Sequence, residues 1–146
     1  MDYIKNRTID TPFSLHDSKV TNVRIINNKL ILTVNYIYQY VRGKEKSFNG
    51  EIEFTDIDSE ECAIIVFDDL LDNSDMKASS RSMTIERFIE KYHNTEFEIL
   101  SEAYHAYHTI YQGWLWTNNQ NPVTMYMIIY NTGNITYKIE IENKER

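Results

Sequence analysis

Ser14, His16 and Asp17 are the residue types of a hydrolase triad, in which a histidine activates a hydroxyl and a carboxylate orients the imidazole. Members of such triads normally converge from separate loops, and these three are nearly consecutive. Their spacing fits a turn better, with Asp17 capping or turning the chain through its side-chain oxygen and His16 hydrogen-bonded nearby. His105 and His108 are candidate metal ligands. On a strand they are expected to point to opposite faces, and even on a helix no third ligand is evident, so no metal or other cofactor is expected.

Two acidic clusters raise the chemistry of calcium: Asp56, Asp58, Glu60 and Glu61, then Asp68, Asp69, Asp72 and Asp75. Neither is an EF-hand loop, because the position that needs glycine is Glu61 in the first cluster. If Cys62 to Phe67 is one strand, the clusters lie at its two ends, roughly 20 Å apart at about 3.3 Å per residue, and cannot form one site. Solvated turns are the default for both. Cys62, the one cysteine, is followed by Ala63, Ile64 and Ile65, which predicts a buried, inert thiol. His93 follows a helical stretch and is expected to serve its carboxyl-terminal end.

Aromatic residues offer binding rather than reaction. Trp114 and Trp116 share a strand face, as do Tyr36, Tyr38 and Tyr40, an arrangement that stacks on a flat ligand or forms a ladder within a sheet. A pocket between sheets would be lined by Trp114, Trp116, His105 and His108. Met125, Met127 and Ile129 form an adaptable apolar face that suits a partner if exposed and core packing beneath a helix if not. Together with the acidic Asp68, Asp69, Asp72 and Asp75, they are the expected partner-binding residues.

These side chains must be carried mostly by strands. Val20 to Tyr40 is split by Asn27 and Asn28, residues that tolerate positive φ at both centres of a tight hairpin turn. Folding there sets Ile25 against Leu30 and Val23 against Leu32 on one face, with Arg24 and Asn22 against Ile31 and Thr33 on the other. A second hairpin is expected from Thr124 to Glu142, turning at Asn131 to Asn134 with Gly133 left-handed. It pairs Tyr126, Ile128 and Tyr130 with Ile139, Tyr137 and Ile135, and leaves Met125, Met127 and Ile129 on a half-wet reverse face.

Glu51 to Thr55 reads as a one-sided strand after a turn signal at Asn49 and Gly50, and Cys62 to Phe67 as a strand covered on both sides. Ile85, Phe88, Ile89 and Tyr92 recur at helical spacing behind Thr84 or Ser82 as cap, predicting one short helix over 84–93. Asp72 to Ser82 is polar and predicts the longest loop. In Ser101 to Thr117 the helical spacing of Tyr104, Tyr107, His108 and Tyr111 competes with the β-favouring run Thr109 to Thr117, and strand is the reading chosen. The sum is a mainly β (α+β) domain spanning 1–146. Its expected architecture is an antiparallel sandwich or open barrel of about seven or eight strands with a helix against one sheet.

Composition excludes other classes. The 146 residues are 42% hydrophobic and 13% aromatic, which argues against disorder, and a chain of this size supports a core without staples. The net charge of -7, with 15 Lys and Arg against 22 Asp and Glu, disfavours nucleic acid and is compatible with a basic protein partner. No apolar run approaches the roughly 20 residues of a membrane helix, and the polar start lacks a signal-peptide pattern. With one cysteine, a cytoplasmic location is expected.

Leu15, His16, Asp17 and Ser18 followed by the Val20 hairpin, then Gly113, Trp114, Leu115, Trp116 and the Ile135, Thr136, Tyr137 strand, resemble a loose group of small bacterial β-rich proteins. Some similar proteins are described as immunity proteins of bacterial toxin systems. The resemblance leaves Gly43 to Ser101 largely unmatched and implies a binding role without catalytic residues. The leading expectation is therefore a non-catalytic cytoplasmic protein-binding module. A small-molecule binder or enzyme with an aromatic-lined pocket is the alternative, and a homo-oligomer that hides an edge strand is a third possibility.

Overall fold

A computed structural model describes residues 1–7, 11–68, 79–118 and 121–142. Its strands are β1 (Asp2–Ile4), β2 (Phe13–Ser14), β3 (Lys19–Ile26), β4 (Lys29–Val41), β5 (Lys44–Thr55), β6 (Ala63–Asp68), β7 (Ser79–Met83), β8 (Glu96–His105), β9 (His108–Trp116), β10 (Val123–Tyr130) and β11 (Ile135–Glu142). One α-helix, α1 (Ile85–Lys91), interrupts them. The mainly β class with a single short helix agrees with the sequence. The strand count exceeds expectation because β1, β2 and β7 are short or polar and carry no alternation. Ser79 to Ser82, expected in the longest loop, belong to β7, and the rest of that loop lies outside the described residues.

The strands form one unclosed antiparallel sheet in the order β1-β11-β5-β4-β3-β8-β9-β10-β6-β7, with β2 beside β4. Its weakest seam joins β3 to β8, which pair only through Lys19 with Glu98 and Val20 with Phe97. There the sheet folds over, and the inner faces of its two halves meet. Phe54 of β5 and Tyr111 of β9 pack edge to face at 6.4 Å across the interior. Leu30, Leu32, Ile52, Ile64, Ile99 and Leu115 are wholly buried in the same core. The helix packs against β3 and β6, covering the inner flank between them.

Local sequence explains most of this. Asn27 and Asn28 take φ of 50° and 62°, and β3 pairs with β4 in the expected register, Ile25 with Leu30 and Val23 with Leu32. Thr84 caps α1 by accepting from the Arg87 N–H at 3.1 Å, and Ile85 and Phe88 face the core.

Two turn expectations fail. Asn49 and Gly50 lie inside β5, and the β4–β5 turn falls at Arg42 and Gly43, both left-handed. Gly50 marks a close approach: a Cβ there would stand 2.2 Å from the Lys138 carbonyl oxygen of β11.

The expected hairpin of Thr124 to Glu142 also does not form. Both segments are strands, but β10 pairs with β9 and β6, whereas β11 pairs with β5 and β1. Asn131, wholly buried, fixes the crossover by donating Nδ2 to Thr55 O at 3.1 Å and Asn134 O at 3.2 Å. Gly133 is not left-handed. Alternating strands satisfy any neighbour of matching pattern, so alternation alone did not choose between these pairings.

Candidate functional site

The crossover decides which way β10 faces. Met125, Met127 and Ile129 are wholly buried and point into the core, while Tyr126, Ile128 and Tyr130 occupy the half-exposed outer face. The expected partner-binding role of Met125, Met127 and Ile129 is therefore corrected: they are interior packing. Asp68 ends β6 opposite Ser79. Asp69, Asp72 and Asp75 lie outside the described residues.

His105 and His108 flank the two-residue turn of the β8–β9 hairpin and stand directly opposite each other. A cross-strand pair shares a face, which corrects the expectation that they diverge. His108 packs against the Tyr130 ring at 4.9 Å, and no group of three potential metal ligands occurs among the described residues. Neither histidine lines the cleft between α1 and β3, about 180 Å³ in volume and walled by Val20, Val23, Phe88, Tyr92 and Phe97.

The smaller constellations behave as the sequence indicated. Asp17 turns the chain with φ of 66° and meets His16 Nδ1 through Oδ2 at 3.0 Å. His93 Nδ1 lies 2.9 Å from the Glu90 carbonyl at the end of α1. Asp58 caps the 3-10 turn Ser59–Glu61 by accepting from Glu60 N at 3.2 Å. Cys62 is buried, and burial raises its thiol pKa.

Inside, Glu102 Oε2 accepts the Leu15 N–H at 2.9 Å and Glu102 Oε1 accepts the Tyr104 hydroxyl at 2.7 Å. The Tyr137 hydroxyl lies 3.3 Å from that of Tyr104. Burial drives the Tyr104, Tyr111 and Tyr137 phenols well above their ordinary pKa. This cluster ties the two halves together beneath the N-terminal segment, where Lys5 Nζ sits 4.0 Å over the Tyr104 ring.

Trp114 and Trp116 are not in a pocket between sheets, as expected, but side by side on the outer face of β9, 37% and 42% exposed. Alternation puts them there: Leu115 between them is wholly buried. Glu98 stands opposite Trp114, and Glu96 stands opposite Trp116. Trp116 donates its indole N–H to Glu98 Oε1 at 3.0 Å, so a carboxylate is held beside both indoles. Gly113 permits this hairpin geometry, because a Cβ there would meet the Glu98 carbonyl oxygen at 1.8 Å.

The face continues in register. Lys19 of β3 lies opposite Glu98, and Asn35 of β4 opposite Lys19. Beside Asn35, the β4 bulge holds Tyr36 at φ of 65°, its carbonyl accepting from Ser18 Oγ at 2.8 Å. Tyr36 and Tyr40 are exposed. Partial burial, then the charges of Glu45 and Asp17, raise the Tyr38 pKa, so those carboxylates border the tyrosines as Glu96 and Glu98 border the tryptophans. The two aromatic groups are separated by three strand spacings, roughly 14 Å along the sheet.

Sequence reasoning found the aromatic pairs but missed Glu96 and Glu98. Their partnership depends on the β8–β9 register, and the turn that sets it, Ala106 and Tyr107, has neither glycine nor asparagine to announce it. Compared with protein-family models, curated proteins and solved structures, the chain matches none. Among the described residues, no helix is long and apolar enough to cross a membrane.

Proposed function

We propose that this chain is a non-catalytic cytoplasmic protein-binding module that takes a basic partner protein on the outer face of β3, β8 and β9, in the manner of an immunity-type inhibitor of a bacterial toxin. The observation that carries this is the exposure of Trp114 and Trp116 side by side, bracketed by Glu96 and Glu98. Exposed tryptophans supply rigid anchor area, and tryptophan is enriched among interface hot spots. The bordering carboxylates and the net charge of -7 select a cationic surface through attraction and faster encounter. The resemblance to small bacterial β-rich proteins points the same way.

A small-molecule reading gains less support, because drug-sized ligands occupy cavities of roughly 300–1,000 Å³. The cleft beside α1 measures about 180 Å³. The larger hollows, about 600 Å³ beside Thr84 and Arg87 and about 540 Å³ beside Asp56 and Tyr130, are open surface depressions that would not enclose a ligand.

Affinity capture with the tagged full chain from a bacterial lysate tests the docking role, run beside Trp114→Ser/Trp116→Ser and an Arg87→Ser control on the exposed side of α1. A specific basic protein retained by wild type and control but lost with the double variant is the expected result. Equal retention by all three would sink the proposal.

A further inference from the structure

We infer that Trp114, Trp116 and Glu98 form a binding site for the guanidinium of an arginine side chain. This rests on the docking role proposed for the outer face and names the chemistry that face would recognise.

The site has three parts. Trp114 and Trp116 project from alternate positions of one strand, about 6.6 Å apart along it, and offer exposed indole surface. Indole is the aromatic group that best attracts a cation. Glu98 lies directly across from Trp114 and is oriented by the Trp116 indole N–H at 3.0 Å. That bond engages Oε1, and among the described residues Oε2 accepts no hydrogen bond. A carboxylate fixed beside two indoles favours a cation over an anion or a neutral apolar group. The planar guanidinium is the protein cation that both stacks on a ring and donates directionally to a carboxylate. Glu96, opposite Trp116, adds a second negative charge at the rim.

One charge opposes the site. Lys19 is the cross-strand neighbour of Glu98 on the side away from Trp114. A bound guanidinium would feel its repulsion, so removing the Lys19 charge should strengthen binding while removing the Glu98 charge should weaken it.

The chain has two tryptophans, and both are in the site, so fluorescence excited selectively in tryptophan and not in the 11 tyrosines reports it. The full-length protein is titrated with a capped tetra-arginine peptide, with tetralysine, tetraglutamine and tetraglutamate as comparisons. Tetra-arginine should change the emission saturably and less strongly at higher salt, tetralysine should bind more weakly, and the other two should leave emission unchanged.

Glu98→Gln keeps an oxygen for the Trp116 N–H and should weaken tetra-arginine binding about two- to fivefold, as should Trp114→Phe, whereas Lys19→Gln should tighten it by a similar factor. Unchanged thermal midpoints exclude misfolding as the cause.

The inference is overturned if tetra-arginine gives no saturable change, if tetralysine equals it, or if Glu98→Gln and Lys19→Gln do not move affinity in opposite directions. Failure here is distinct from failure of the docking role. Capture lost with Trp114→Ser/Trp116→Ser but no response to tetra-arginine removes the guanidinium site alone. A response to tetra-arginine with capture intact removes the docking role alone.

Discussion

Trp116 reaches diagonally from β9 to Glu98 on the adjacent β8, indole nitrogen to carboxylate oxygen at 3.0 Å, while the residue directly facing Glu98 is the other tryptophan, Trp114. A solvent-facing hydrogen bond of this kind contributes about 1 kcal/mol or less, and the covered part of the indole adds to it, so Trp116→Ala should lower unfolding free energy by about 1–3 kcal/mol. The same variant should lose the captured partner. Denaturant melts alongside capture separate the two effects, and a large loss of stability would make Trp116 a structural residue instead.

Left-handed backbone at Asn27 and Asn28 sets the β3–β4 register. Asn28→Ala forces a Cβ-bearing side chain with no local hydrogen bonding into that region and should cost about 1 kcal/mol, whereas Asn28→Gly should be neutral or stabilising. Urea midpoints at constant slope give the answer.

Gly113→Ala places a methyl group against the Glu98 backbone. The clash is with main chain, which cannot rotate away, so a loss of about 1–3 kcal/mol is expected. Because the displaced residue carries the carboxylate that touches Trp116, tryptophan emission should change in the folded state as well.

Tyr111 and Tyr137 are wholly buried, and burial raises both phenol pKa values above that of the unfolded chain. Folding therefore keeps two protons that the unfolded state releases above about pH 10. Stability is complete below that pH and falls as pH rises through it, by about 1.4 kcal/mol per pH unit for each tyrosine until the protein unfolds. Phenolate absorbance should show the buried tyrosines ionising together with loss of structure and the exposed ones earlier. Gradual ionisation of every tyrosine in a folded protein would contradict this.

Cys62 combines burial with a raised thiol pKa. An alkylating reagent should leave it unmodified in native buffer and label it fully in denaturant, as mass spectrometry would register. Rapid native labelling would mean that the strand region around β6 opens readily.

The parts of the fold written in local chemistry were legible. Asn27 and Asn28 disclosed a turn and its register, and the spacing of Ile85, Phe88, Ile89 and Tyr92 disclosed α1 with its Thr84 cap. What escaped depends on which strand finds which neighbour. Met125, Met127 and Ile129 alternate against Tyr126, Ile128 and Tyr130, two sets of similar polarity, so the sequence does not say which is inward. The buried set follows from β10 lying between β9 and β6 rather than beside β11. The candidate site was half legible for the same reason: alternation puts Trp114 and Trp116 on one face, but that this face is the outer one, and that Glu98 is their neighbour, follows only from the pairing of β9 with β8 and β10.

The pairing of β1 with β11, Tyr3 opposite Tyr137, joins early and late segments of the polypeptide. Because β11 also lies beside β5, both of these earlier strands must wait for β11, which follows them by many residues, before the edges it fills are covered. Assembly of this half is thus set by closure of a long loop, and growing chains are at their stickiest just before β11 emerges.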